Sequence, residues 1–500
     1  MAGEPKQTDA QGRSIRLMIR YSVLVLTLAG AGCVGTPSVS GVAGLPPSPS
    51  TAWTPPSREL QRDTLVHRAV PPDLERRIKA LTLAEVVDLG LRNNPQTRVS
   101  WANARAAAAA YGFERGAYFP TIDGEITGTE LQTVASQGRT AVTQSVLSPS
   151  LSLNYLLFDF GGRSGTVGAA RSSLIAANYT HNAALQDVAL QIQTAYFQYI
   201  ATRALLEAQR TTAKEARTNL QAAEERRRVG VATIADVLQA RTAASQAELA
   251  VETTEGDLQT SRGALALSLG LPANLPYDID STAGQMPVSV LGDSVDALIA
   301  RALQLRPDLA AARAEYESSR SQISVARASR LPALLLNGSG GRTWTTTLPQ
   351  GGNSYSVSLG LRIPLFAGFS RAYDQREAVA VADAAQARAE ALGQQVVFQV
   401  FSSYYALQTA ARRVATTDDL IASADQSSDV ALARYRAGVG SVLDLLAAQT
   451  ALADARAQQV LARLEWNVSL AQLAHDSGVL DTRGGASLRL APDTTHPNPR

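Results

Sequence analysis

Two sets of the same signals run along this chain of 500 residues. Asn94-Pro95 is answered by Arg306-Pro307 and Phe119-Pro120 by Leu331-Pro332, each 212 residues later. Leu157-Phe158 is answered by Leu365-Phe366, and RRVGVATIADVLQA at 227–240 by YRAGVGSVLDLLAA at 435–448, now 208 later. Leu269-Gly270 and Ser477-Gly478 keep the 208 spacing. The register drops once, by four, between Pro120 and Phe158, where a loop can change length. A fixed period means that one supersecondary unit is used twice. We assign the copies to residues 81–280 and 281–480.

Each copy has the same order of elements. A short helix is predicted over 82–93 and 294–305, and a second over 96–116 and 308–329. Pro95 and Pro307 suit the first turn of that second helix, where no hydrogen bond is lost. An extended hairpin follows, then a very long helix, a tight turn and another helix. Residues 169–229 contain no Gly or Pro and are rich in Ala, Gln, Arg and Glu, all good helix formers. Roughly 60 residues at ~1.5 Å each reach about 90 Å. Apolar positions recur at three- and four-residue steps, as in Val188, Ile192, Ala195 and Tyr199. Residues 441–477 are likewise free of Gly and Pro. Helices of this length need partners along their whole course, in a coiled-coil bundle or a helical barrel.

The hairpins alternate at period two. Pro120, Ile122, Gly124 and Ile126 share one face and Thr121, Asp123, Glu125 and Thr127 the other. Leu151, Leu153, Tyr155 and Leu157 oppose Ser150, Ser152 and Asn154. Tyr355, Val357, Leu359, Leu361 and Ile363 oppose Ser356, Ser358 and Arg362. The third strand reads as weaker, with Leu334 and Leu336 outward and Asn337 and Ser339 inward. A soluble amphipathic sheet alternates too. Here the polar face carries small hydroxyls, Asp, Glu and Arg, as a wet lumen would, and about ten residues suit a tilted membrane strand. Four strands cannot close a barrel, and open edges do not stand in lipid. Copies must therefore share one barrel, and a conduit calls for three or more, because eight strands enclose only side chains.

Lys and Arg number 46 and Asp and Glu 44, so no basic field invites nucleic acid. The mean hydropathy of −0.05 does not fit a bundle of membrane helices. One cysteine and four histidines exclude a disulfide framework and a common zinc cluster. His67, His181, His475 and His496 stand far apart, without a nucleophile or metal spacing, so neither an enzyme nor a cofactor is expected. His181 and His475 read as solvated helix residues.

Residues 18–33, MIRYSVLVLTLAGAGC, place Arg20 before a short apolar run, the layout of an export signal over 1–32. Cys33, after Gly30, Ala31 and Gly32, is a candidate for lipid attachment. Ordinary cleavage after Ala31 and an inert thiol are the alternatives. The Pro- and Ser-rich stretch within 33–80 reads as a tether that packs no core, and 481–500 as a polar tail.

At the joints between long helices, Gly230 and Gly438 suit the left-handed residue that ends a helix. Thr233 and Ser441 suit the next cap, with Asp236 and Asp444 reaching back as in a capping box. With YLLFDFGGR and IPLFAGFSR after the strands, this tip motif, R-x-G-x-x-S/T-x-x-D-V/L-L, resembles the TolC-like outer membrane efflux proteins over about residues 81–480. The resemblance implies an α+β membrane protein. Its long antiparallel helices would form a periplasmic helical barrel, and four strands per chain would contribute to a trimeric twelve-stranded barrel in the outer membrane. It implies an exit duct for efflux or type I secretion, with a periplasmic adaptor and an inner-membrane transporter as partners. It also implies adaptor contact at Gly230, Thr233, Gly438 and Ser441, and a gate at Asp236, Tyr435 and Asp444. Gly440, Ala235 and Ala447 depart from the gate pattern, which implies a looser gate. Simple capping by the two aspartates, and a periplasmic coiled-coil spacer without a channel, are the competing readings.

Overall fold

The computed structural model describes residues 48–53, 81–132, 143–273, 294–346 and 348–480. Thr82 and Glu85 close a capping box that starts helix α1, Leu83–Asn93. The Asn94 side chain accepts from the Gln96 N–H and caps α2, Pro95–Gly116, with Pro95 at its first turn. Strands β1, Thr121–Gln132, and β2, Thr143–Phe158, lead into α3, Gly162–Arg228, and α4, Ile234–Ser268. The second copy repeats the order: α5, Val295–Leu305; α6, Pro307–Ala328; β3, Ala333–Thr345; β4, Leu348–Arg362; α7, Ser370–Arg436; α8, Val442–Asp476. The helix lengths match between copies: 11 residues for α1 and α5, 22 for α2 and α6, 67 for α3 and α7, and 35 for α4 and α8. A 67-residue helix is about 100 Å long.

The largest apolar core lies partway along the long helices. It joins Tyr196 and Ile192 of α3, Leu265 of α4, Val396 and Val400 of α7, and Trp466 and Leu470 of α8. The short helices α1 and α5 add Val86, Val87 and Leu298. Contact is close: a Cβ on Gly90 would stand 2.3 Å from Ile192 Cδ1. Towards the tips the contacts shrink to alanines, with Ala213, Ala216, Ala244 and Ala247 in one cluster and Ala223, Val237 and Ala240 in another. Small side chains let antiparallel helices lie side by side where no bulky core spaces them.

The strands form one antiparallel sheet in the order β1-β2-β3-β4. Its register aligns chemistry across all four. Asp123, Ser152, Ser339 and Ser356 make a polar row, with Ser339 and Ser356 hydroxyls 2.9 Å apart. One residue away, Ile122, Leu153, Gly338 and Val357 make a row on the opposite face. The third strand, weaker in pattern, is 13 residues long and lies between two partners, β2 and β4. The fourth, with 15 residues, starts earlier than its pattern of 355–363 but stops one residue sooner. Ile363 lies outside β4, because Pro364 follows it and proline cannot extend a ladder. Residues 133–142, between β1 and β2, lie outside those described, whereas β3 and β4 are joined across only 346 and 347.

Each strand-to-helix junction is held by an arginine. Arg163 Nη1 donates to the carbonyls of Ala117 (3.2 Å) and Leu156 (2.9 Å), tying the end of α2 to the end of β2. Arg371 Nη1 donates to the Ser329 carbonyl at the end of α6.

Three expectations are corrected. The N-terminal stretch is not wholly an unpacked tether. Trp53 is buried, stands edge-on to Tyr179 at 5.1 Å, and exchanges two hydrogen bonds of 2.6 Å with the Asn182 side chain. An aromatic ring and a backbone free of intrahelical bonds suffice to dock a short segment on α3. His181 is consequently not solvated: it is fully buried, its Nδ1 2.8 Å from Ser100 Oγ and its Nε2 3.2 Å from the Thr51 carbonyl. Burial lowers its pKa, against the opposing pull of the Thr51 carbonyl. His475 is not solvated either, for reasons given below.

Candidate functional site: the helical tips and the polar seam between hairpins

Helix α3 ends because Gly230 turns left-handed, φ 81°, which lets the Val231 N–H reach back to the Arg226 carbonyl at 2.9 Å. Gly438, φ 77°, does the same for α7, and the Val439 N–H donates to the Arg434 carbonyl at 3.1 Å. A glycine enters that region without a Cβ penalty. Thr233 then starts α4. Its Oγ1 accepts from the Asp236 N–H at 3.2 Å, and its N–H donates to Asp236 Oδ2 at 2.8 Å, a full capping box. Ser441 Oγ accepts from the Asp444 N–H at 3.1 Å to start α8. The Asp444 carboxylate does not reach back, so this box is half closed.

The predicted gate residues are not brought together within one chain. The Asp236 carboxylate is occupied by its own cap. Tyr435 is buried against Val442 and Leu445, and its hydroxyl has no hydrogen-bond partner. What meets Tyr435 is Arg226. Its guanidinium lies 4.8 Å over the Tyr435 ring, and Nη1 donates to the Tyr435 carbonyl at 3.2 Å. Arg226 belongs to a run of three arginines at a helix end, which by sequence reads only as compensation of the helix dipole. Arg226 thus joins Arg434 and Arg436, the last-turn arginines of α7, from the other hairpin.

Arg226 ends a seam between the two hairpins. Higher up, Asn219 Nδ2 donates to Gln449 Oε1 at 2.6 Å, and Arg456 faces the Glu215 carboxylate at 3.2 Å. Around the turns Val229, Val231, Val439 and Leu443 are exposed, an apolar surface that none of the described residues covers.

Near the main core a second polar group ties the copies together. His475 Nε2 lies 2.8 Å from Asp187 and Nδ1 3.0 Å from Asp476. Burial opposes its charge, but the two carboxylates win and push its pKa up to about 9. Burial likewise opposes charge on Asp308, and the Arg306 guanidinium beside it holds its pKa below the usual carboxylate range. Among the described residues no group of three or more His, Cys, Asp or Glu could hold a metal ion. None of the described helices is long and apolar enough to cross a membrane.

Two copies of a helix-hairpin-helix unit, with strands that pair across the copies and tips capped alike, define a class of outer membrane channel. The family model of the outer membrane efflux protein matches residues 86–271 and 298–479, and the chain belongs to that family. It is 30% identical over 415 residues to protein CyaE of Bordetella pertussis, covering 82% of this chain and 86% of that one. It is 26% identical over 389 residues to the solvent efflux pump outer membrane protein SrpC of Pseudomonas putida, covering 76% and 82%. Its fold matches that of the outer membrane protein VceC from Vibrio cholerae with a TM-score of 0.70 at 21% identity, covering 79% of this chain and 96% of that one. The protein is an outer membrane efflux channel, and not an enzyme.

Proposed function

We propose that three copies of this chain form the exit duct of a tripartite efflux or secretion system, passing substrate from an inner-membrane transporter and a periplasmic adaptor to the outside. The open four-stranded sheet carries this reading. Its β1 and β4 edges each pair on one side only, and lipid does not tolerate open edges. Three copies supply twelve strands, enough for a lumen, and the row Asp123, Ser152, Ser339 and Ser356 lines it. Helices of about 100 Å then carry the duct towards the inner membrane. A periplasmic spacer would use those helices but would leave two amphipathic hairpins without a role. The efflux-pump relative supports partnership with a pump.

The adaptor docks on the apolar tips around Gly230, Thr233, Gly438 and Ser441. The duct closes at the same end. In this reading the gate is formed by Asp236, Tyr435 and Asp444 of neighbouring copies, and because the Tyr435 hydroxyl is buried within its own copy it meets an aspartate of a neighbour only once the tip rearranges. The Arg226 link holds the two hairpins of one copy together. At the other end of the chain, 1–32 serve as the export signal and Cys33 carries a lipid; both lie outside the described residues. Mass measurement in detergent tests the assembly: a trimer is expected, and a stable monomer refutes the shared barrel. If Cys33→Ser is processed and still found in the outer membrane, the barrel is the anchor and lipid is accessory.

A further inference from the structure

Charge is placed unevenly on the sheet. Among the described residues its polar face carries Asp123 and Glu125 of β1 and Arg362 of β4. Strand β2 has no charged residue, and Arg342 of β3 alternates onto the other face, as does Glu130 of β1. The charges of the polar face therefore sit on the two edge strands, acidic on one edge and basic on the other. All three side chains are exposed. Those of Asp123 and Arg362 have no hydrogen-bond or ion-pair partner among the described residues. Glu125 only accepts from the Thr127 hydroxyl, at 3.2 Å.

The internal repeat says which residues meet when two such edges join. The hairpins of the two copies share one register: Thr121 faces Asn154, and their counterparts Ala333 and Arg362 face each other. Inside the chain the copies meet where β2 pairs with β3, and there Asn154 faces Asn337. The repeat offsets of 208 and 212 carry Asn154 to Arg362 and Asn337 to Glu125. Pairing of β4 with the β1 of a second chain, on the pattern of β2 with β3, thus sets Arg362 directly opposite Glu125. Asp123 then lies on the diagonal. Opposed Cβ atoms stand about 4.5–5.5 Å apart and diagonal neighbours about 7–8 Å, within reach of long side chains.

We propose that Arg362 of one chain and Glu125 of the next form an ion pair across the seam between β4 and β1, supported by Asp123, and that this pair selects which edges join. The internal seam holds a neutral Asn154–Asn337 pair, and there the chain itself brings β2 to β3. Two separate chains have no such tether, and a bare edge pairs readily with any other. Two β1 edges would bring acid towards acid, and two β4 edges arginine towards arginine. Like edges therefore repel and unlike edges attract. Head-to-tail addition, the kind that closes a ring, is favoured over a twofold pairing of like edges. This rests on the shared barrel proposed above.

The test combines Glu125→Cys with Arg362→Cys and oxidises the protein in the outer membrane, each single variant serving as control. Opposed strand residues lie close enough for a disulfide, so covalent dimers and trimers are expected. Asn154→Cys with Asn337→Cys, the internal counterpart, should close within one chain and gives the reference yield. Cross-linking of Arg362→Cys to Thr129→Cys in place of Glu125→Cys would overturn the pairing and leave the shared barrel intact. So would the absence of any intermolecular product from a protein that still weighs as a trimer in detergent. A stable monomer would overturn both. Charge is tested apart from proximity. Arg362→Glu should lower the yield of heat-resistant assemblies several-fold, and adding Glu125→Arg should restore it. A yield unchanged by Arg362→Glu, or a loss that the swap leaves in place, would overturn the ion pair.

Discussion

Arg226 and Tyr435 are separated by 209 residues, yet the guanidinium of one covers the ring and grips the carbonyl of the other. The contact joins the end of α3 to the end of α7, so it breaks if the two hairpins of a copy slide apart at the tip. A charge-assisted hydrogen bond contributes about 1.5–3 kcal/mol and a cation–π contact about 0.5–1 kcal/mol. In Arg226→Ala, single-channel recordings in planar bilayers should show openings at least about tenfold more frequent. Conductance like that of the unaltered protein would mean that the seam does not hold the closed state.

Tyr435→Phe removes only the hydroxyl that finds no partner within the chain. If that hydroxyl meets a neighbouring copy's aspartate, openings become more frequent while the assembly stays heat-stable. If the hydroxyl is idle, losing a buried unsatisfied group raises stability by about 1 kcal/mol and leaves gating alone.

The two faces of the sheet should respond differently to charge. Leu153→Arg puts a guanidinium on the outward row and should cost about 2–4 kcal/mol near the bilayer midplane. Ser152→Arg turns it into the polar row and should alter conductance with the yield of inserted protein unchanged. Equal yields from both would contradict the assignment of faces.

Valine at Gly230 or Gly438 opposes φ values of 81° and 77°, a strain of roughly 1–2 kcal/mol. The sheet lies far from these turns, so insertion should persist while cross-linking to the adaptor falls. Undiminished cross-linking in both variants would move the docking surface elsewhere.

His475 gives a pH signature. Its folded pKa of about 9 exceeds the ~6.5 of an unfolded chain, so its stabilisation is complete below ~6.5 and disappears as pH rises through about 9. The melting temperature should decline across that window, by no more than about 3 kcal/mol of stability. His475→Gln should lie lower at pH 6 and lose this slope. Parallel curves would mean that the cluster is not charged as described.

Local signals were legible in sequence: Pro95 and Pro307 set helix starts, Gly230 and Gly438 set helix ends, and period two marked the strands. Each depends on residues a few positions apart. What escaped was made by distant partners. His181 reads as solvated until Thr51 and Trp53 fold over its helix from 130 and 128 positions away. Arg226 reads as a dipole charge until α7 arrives beside it. The half-closed cap at Asp444 was hidden for another reason, since Ser441 and Asp444 have the right spacing and the hydroxyl cap forms, yet the carboxylate makes no return bond.

The unpaired β1 and β4 edges have a genetic consequence. In the proposed shared barrel each copy offers one edge and completes the edge of another, so a copy that folds its helices but spoils a strand would leave its neighbours' ring unsealed. Such an allele should poison assemblies that contain normal copies. A defect confined to a copy's own core, which keeps it from joining at all, should remain recessive.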